Sequence, residues 1–363
     1  MKNTSFKLLN KLTIIIPTYE RQKFVLRCMK YWSGKGVTLI VLDGSKKRLE
    51  SRTLDKFEKN IKYFHNTASY YKRLLSAIKL IKTEYVLLGC DDEFYIPSAL
   101  NSCIIKILTQ NKLVACCGRA LGFDYQDNSV LGKDVYPTLN ENRNLFEENP
   151  NKRIKKHFLN YEQAHTYAVC RSDIWKIAAK TIFSKEYNCY SIHELQFEFF
   201  LCFSGRSLVI PELMWLRSNE NKPIRDLSPS LKRSNSILNW WSSKKYKKEK
   251  TNFILRVGET CTKLNKITKK KYIPDIENSI NYYFEFCKSK KDNFFYNFII
   301  NILRHLPVII KDLIKEILKD IDYRVTKKFL LKNVARSFKL MGTKVDFVEL
   351  NKIERIISLF HQK

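Results

Sequence analysis

Thr83 to Leu100 reads TEYVLLGCDDEFYIPSAL, and this stretch decides the fold. An apolar run, Tyr85–Cys90, has the length and residue types of a buried strand. It empties into three consecutive carboxylates, Asp91, Asp92 and Glu93, and Pro97 then opens a run with helical spacing over Ser98–Gln110. Adjacent carboxylates at the exit of a buried strand repel one another and resist desolvation. A divalent cation relieves both costs. Hard oxygen ligands suit Mg2+ or Mn2+, which also bind phosphate oxygens. The competing reading is a solvated acidic turn placed favourably at a helix N-terminus.

Working outward, short apolar runs at Leu12–Pro17, Val37–Asp43, Ile61–Phe64, Tyr85–Cys90 and Leu113–Gly118 predict strands. Between them, Arg21–Trp32, Arg48–Lys59, Tyr70–Lys82 and Ser98–Gln110 predict helices. Strands apolar throughout and separated by helices make an α/β protein with a mostly parallel sheet covered on both faces. Ligands in such sheets bind beyond the carboxyl ends of the strands. Those ends carry Pro17-Thr18-Tyr19-Glu20-Arg21, Asp43-Gly44-Ser45 and the acidic triplet. Further on, Asp124–Asn151 is loop-like and His165–Cys170 is a short strand-like run. Helices are predicted over Ser172–Ile182 and His193–Phe203, and a last strand over Ser207–Leu216, interrupted by Pro211. Beyond residue 220 the composition shifts to serine, proline, helical patterns and lysine clusters, including 244–248 and 269–271. Two domains are expected, 1–220 and a basic, mostly helical extension, 221–363.

The 363 residues are 44% hydrophobic, enough for a sizeable core, and the net charge is +30. That charge implies an anionic partner: a phosphorylated substrate, an acidic lipid surface or nucleic acid. Ten cysteines without a CxxC pair read as reduced, buried thiols rather than a zinc or redox motif. Leu12–Ile16 is too short for a secretory core and is stopped by Pro17. The apolar stretch from Phe294 to Leu318 carries Arg304, Lys311, Asp312 and Lys315, which argues against a membrane span. A cytoplasmic protein is expected.

Three motifs in order resemble family 2 glycosyltransferases. They are Ile14–Arg21 (IIIPTYER), Val41–Ser45 (VLDGS) and the Thr83–Leu100 segment. The resemblance implies the GT-A fold and an inverting, hexosyltransferase-like transfer from a nucleoside-diphosphate sugar, with Mn2+ or Mg2+ as cofactor. It also implies roles by position. Pro17, Thr18 and Tyr19 would line the base pocket, Asp43 would bind the nucleobase or ribose, and Asp92 would hold the metal. Asp91 would contact ribose or support the metal, and Lys72 would face the base or diphosphate. The sequence departs from the family pattern at Cys90, where many members carry an acid, and at Leu42 before Asp43. An inverting transferase also needs a base for the acceptor hydroxyl. By resemblance it lies in Ser191–Phe200, SIHELQFEFF, where Glu194 takes the role and His193 is its neighbouring alternative. The family's typical work is bacterial surface polysaccharide or glycolipid synthesis, on a glycan or lipid-linked acceptor. The basic extension would then dock on the anionic inner face of the cell membrane. The alternatives are a basic nucleic-acid-binding protein, with Trp240, Trp241 and Tyr246 stacking bases, and an inactive scaffold of the same fold. No glycine-rich fingerprint follows the first strand, which excludes dinucleotide-binding and phosphate-loop readings.

Overall fold

The structure is a computed structural model that describes residues 4–140, 144–159, 165–221, 235–265, 277–285 and 329–362. Its first half is built from β1 (Leu12–Thr18), α1 (Gln22–Trp32), β2 (Thr38–Asp43), α2 (Ser51–Leu54), β3 (Ile61–His65), α3 (Tyr70–Ala77), β4 (Tyr85–Leu88), β5 (Phe94–Tyr95) and α4 (Pro97–Thr109). Then come β6 (Leu113–Gln126), β7 (Ser129–Asp134), α5 (Pro137–Asn140), α6 (Pro150–Leu159), β8 (Val169–Arg171), α7 (Ser172–Phe183), α8 (Ile192–Ser204) and β9 (Arg206–Ser218). Past residue 235 follow α9 (Ile237–Ser242), α10 (Lys247–Asn265), β10 (Phe329–Leu330), α11 (Leu331–Leu340) and α12 (Phe347–His361).

The strands form one sheet in the order β10-β7-β6-β8-β4-β1-β2-β3, with β9 paired to both β6 and β5. The β4-β1-β2-β3 portion is parallel. Buried, largely β-branched residues make β1 a central strand, and helices cover it on both faces. Its proline is tolerated because β4 pairs only as far as Ile15↔Leu88, so Pro17 has a ladder neighbour in β2 alone. The carboxyl ends of β1, β2 and β4 therefore lie side by side, and the three sequence motifs meet at one edge.

Three of the segments that differ from the sequence expectation bear on the sheet and its edge. The helix predicted over Arg48–Lys59 shrinks to Ser51–Leu54, none of whose residues is buried, so no packing offsets the cost of helix nucleation. The strand predicted to end at Gly118 runs on to Gln126 and turns back as β7 through Asp127 and Asn128. Both adopt left-handed backbone, φ +48° and +56°, suited to a tight hairpin. Part of the loop-like stretch is therefore sheet, and α6 occupies its end. The last strand does pass through Pro211, at a bulge. Cys117 faces Val209 and Arg119 faces Leu213, so three residues of β9 stand opposite Gly118. A Cβ at Gly118 would lie 2.5 Å from the Glu212 carbonyl oxygen, so this crossing requires glycine.

Residues beyond 235 pack back onto the rest. Helix α10 lies against α7 and α8, with Thr181 Oγ1 2.7 Å from Thr260 Oγ1 and Arg256 donating to the Thr181 carbonyl at 2.6 Å. Strand β10 extends the sheet at β7, and α11 and α12 pack beside it. The 269–271 lysines and the 294–318 apolar run lie outside the described residues. Among the described residues no helix is long and apolar enough to cross a membrane. Eight of the nine cysteines there are buried, and all nine are free thiols.

Candidate active site

The turn after β4 carries the acidic triplet into a cavity of about 420 Å3. Asp91, Asp92 and Glu93 are all buried. Asp91 Oδ2 accepts from the Thr18 hydroxyl at 2.6 Å, which links the ends of β4 and β1. Arg21, at the start of α1, stands between the two aspartates, 3.4 Å from Asp91 Oδ1 and 3.3 Å from Asp92 Oδ2. Asp92 Oδ2 also accepts from Asn221 Nδ2 at 2.8 Å. Glu93 turns to the opposite wall and accepts from Trp215 Nε1 at 2.7 Å.

The electrostatics are strained. Burial, then the charge of Asp92, pushes the Asp91 carboxyl well above the usual carboxylate range, against the pull of Arg21 and Thr18. Burial and Asp92 likewise push Glu93 up to about 8. Three acids on one buried turn thus exceed the positive charge supplied to them, and all their donor atoms are hard oxygens. The carboxylate oxygens of Asp91 and Asp92 are hard donors of the kind that Mn2+ or Mg2+ takes, whereas Glu93 points away to Trp215.

The edge beyond β2 holds Asp43, fully buried. Its carboxylate accepts from the Ser45 backbone N–H (2.8 Å), the Tyr63 hydroxyl (2.5 Å) and Gln22 Nε2 (3.2 Å). Tyr19 is half-buried, and Glu20 after it takes a left-handed φ of +52°, with its N–H bonded to Ser45 Oγ at 2.8 Å. The turns after β1 and β2 therefore brace each other. Pro17 lines the acidic cavity, whereas Thr18, Tyr19 and Asp43 do not. Lys72 is not brought to the cavity. It is exposed on α3, and the sequence expectation for it has no support in the geometry. The next residue, Arg73, is the buried cation here. It donates to the carbonyls of Thr18 (2.7 Å), Leu42 and Ala68 (3.2 Å). A Cβ at Gly44 would fall 2.5 Å from the Arg73 guanidinium carbon, so Gly44 leaves the space that Arg73 fills.

Glu194, in the first turn of α8, lines the same cavity, half-buried, and accepts from the Tyr167 hydroxyl at 3.3 Å. His193 is a less suitable base. It is 2% exposed, packed among Tyr70, Tyr71, Phe183 and Tyr190, and burial lowers its pKa to about 4. Beside Glu194 the wall is aromatic. Trp215 stacks on Tyr136 at 5.2 Å and meets Tyr167 at 4.8 Å, giving flat apolar faces beside polar groups. Arg217 adds a cation over the Tyr136 ring. Sequence reasoning left Arg21, Arg73, Glu93, Trp215 and Asn221 without a role. Arg21 and Glu93 lie inside the quoted motifs, but nothing local marks Trp215 or Asn221.

A second polar cluster lies away from this cavity. Glu198 of α8, 0% exposed, accepts from His157 Nε2 (2.8 Å), His165 Nδ1 (2.7 Å), and the Thr166 N–H and hydroxyl (3.0 Å each). Burial alone would raise its pKa, but the two imidazoles hold it below the usual range. His157, His165 and Cys202 bring ligand-type atoms within 4.8 Å of one another. His165 spends both ring nitrogens on Glu198 and Ser207 Oγ (2.6 Å), the arrangement of a buried ion network. The tryptophans proposed to stack bases are committed elsewhere. Trp240 is buried and donates to Glu249, and Trp241 stacks on Phe284 at 4.2 Å.

Residues 13–174 match the family model for glycosyl transferase family 2. Over those residues the architecture is the α/β sheet flanked by helices of a GT-A fold. No curated protein matches the chain. Among solved structures, it is similar to S. aureus TarS 1–349 in complex with UDP-GlcNAc, at 13% identity, over 78% of this chain and 92% of that one, with a TM-score of 0.46. It is also similar to TarS 1–349 alone, at 16% identity, over 78% and 91%, with a TM-score of 0.44.

Proposed function

We propose that this chain, which carries a glycosyl transferase family 2 domain over residues 13–174, transfers a sugar from a nucleoside-diphosphate donor to an acceptor hydroxyl with inversion. One observation carries the reading: Asp91 and Asp92 from the end of β4 and Glu194 from α8, a hundred residues away in sequence, line one cavity. Asp43, Thr18 and Tyr19 hold the nucleoside at the neighbouring strand ends, and Pro17 and Asp91 sit where nucleoside meets diphosphate. Glu194 removes the proton of the acceptor hydroxyl as that oxygen bonds to the anomeric carbon. The bond from that carbon to the diphosphate oxygen breaks, and its electron pair leaves with the nucleoside diphosphate. Mn2+ or Mg2+ on Asp92 would supply neutralisation of the leaving charge. Arg217 offers a fixed cation on the facing wall, and the aromatic wall offers flat surface for a sugar ring.

The acceptor is a glycan or lipid-linked glycan of surface polysaccharide or glycolipid synthesis, met at the inner face of the cell membrane. The net charge of +30 supports docking on an anionic surface. The catalytic domain ends near residue 220 and the basic extension begins there.

The test is thermal unfolding with nucleoside diphosphates, with and without Mn2+, on the wild type and Asp92→Ala. A ligand at a hundred times its Kd adds about 2.7 kcal/mol. One diphosphate should stabilise the wild type only with metal and the variant not at all. A folded protein that no diphosphate stabilises would replace this reading with an inactive scaffold.

A further inference from the structure

Asp92 is held from two sides, by Arg27 and by Asn221, and Glu220 ties the first of these to α12. On one side, Arg27 of α1 donates to the Asp92 main-chain carbonyl at 2.9 Å. On the other, Asn221 donates to its carboxylate at 2.8 Å. Between them lies Glu220. Its side chain is 1% exposed and takes both arms of the Arg27 guanidinium, at 2.9 and 2.6 Å. Glu220 also accepts from Ser218 Oγ at 3.0 Å and meets His361 Nε2 at 2.6 Å. His361 is the last residue of α12, and its ring lies parallel to Tyr125 at 4.4 Å. The preceding residue, Phe360, lies under the Arg27 guanidinium at 4.5 Å.

We propose that His361 and Glu220 are positioning residues for the metal-binding carboxylate of Asp92, so that α12 completes a site whose ligand lies some 270 residues earlier in the chain. The proposal rests on the reading of Asp92 as the metal ligand. A carboxylate that binds a divalent cation must be aimed, and the groups that aim a ligand govern affinity without touching the metal. Here Glu220 fixes Arg27 behind the Asp92 backbone and, one residue on, sets Asn221 against the Asp92 carboxylate. His361 holds Glu220 from outside. Its contact is not what docks the helix. Leu350, Ile353 and Ile357 are buried, Glu349 pairs with Lys35, and Asp346 accepts from Ser98 Oγ at 2.9 Å. Removing the imidazole therefore leaves α12 in place and frees one end of the chain of contacts.

The experiment is Mn2+ titration of the full chain, followed by the electron-spin signal of free Mn2+, beside melting in EDTA. The proteins are the wild type, D92A, H361A, H361Q, N221A and N221A/H361A. H361A should weaken Mn2+ binding roughly tenfold, the lower end for loss of a ligand-orienting partner, with the EDTA melting temperature unchanged. H361Q, whose amide donates to Glu220, should recover most of the affinity. The double variant should bind more weakly than N221A by less than the full effect of H361A, because only the route through Arg27 is left to lose. Wild-type affinity in H361A overturns the proposal, as does a loss that H361Q does not restore and that a fall in EDTA melting matches. Absence of Mn2+ binding by the wild type, or unaltered binding by D92A, overturns the metal reading itself and this proposal with it.

Discussion

Arg21 reaches both Asp91 and Asp92, and it supplies part of the positive charge that a divalent cation would bring. Guanidinium and metal compete for these oxygens. Arg21→Met should lower stability in EDTA by about 1–3 kcal/mol, limited because Asp91 can take up a proton. The same change should enlarge the stabilisation by Mn2+, and paired melting curves read both effects. His193 gives a pH signature. Its pKa is about 4 in the folded chain against the ordinary 6.5, because it is buried. Below 6.5 the unfolded chain takes a proton that the native chain refuses. The stability His193 contributes is therefore complete above pH 6.5 and is lost as pH falls toward 4. Urea midpoints at pH 7.5, 6 and 5 should decline less steeply in His193→Gln than in the wild type. Gly44 belongs to this scale too. Its missing side chain is the space Arg73 occupies, a pairing that no local pattern announces.

Helix α8 joins two kinds of chemistry on one element. Its first turn presents Glu194 to the cavity, and Glu198, one turn on, is locked by His157, His165 and Thr166. The locked turn fixes where the cavity end of the helix points. Glu198→Ala should cost about 3–5 kcal/mol, as expected when one partner of a buried ionic network is removed. Denaturant unfolding checks it, and a loss under 1 kcal/mol would show that the network does not anchor the helix. The β6–β7 hairpin shows the opposite balance. Asp127-Asn128 marks a turn by residue type, yet polar residues around it conceal two strands. Those strands are stabilised by pairing with β9 and β10, partners distant in sequence.

The whole molecule carries +30, and its described helices cannot span a bilayer. Attraction to an anionic surface is then electrostatic and should respond to salt. Flotation with phosphatidylglycerol-containing vesicles should be strong at low salt. It should be absent with neutral vesicles and lost near 1 M salt, where the screening length is about 3 Å. Equal binding to neutral vesicles would point to apolar insertion instead. Trp240 and Trp241 are already packed, so any nucleic acid retained should not depend on those two rings for base stacking.

The sequence by itself determined the alternation of buried strands and helices, the shared edge on which three motifs end, and the acidic turn at Asp91-Asp92. Each is written in neighbouring residues: periodicity, a proline, adjacent charges. Glu194 came only from the family resemblance, because a first-turn acid on an apolar helix is by itself an ordinary feature. The sequence could not separate Lys72 from Arg73, because one residue of helical phase decides which faces inward, and only packing against Gly44 fixes that phase. Nor could it find Asn221, Trp215 or His361. They reach the site by strand pairing and helix docking between segments far apart in the chain, and such contacts leave no local pattern. Tertiary structure alone decided which distant groups stand behind Asp92, because positioning a buried carboxylate takes partners from several directions and one segment of chain approaches from only one.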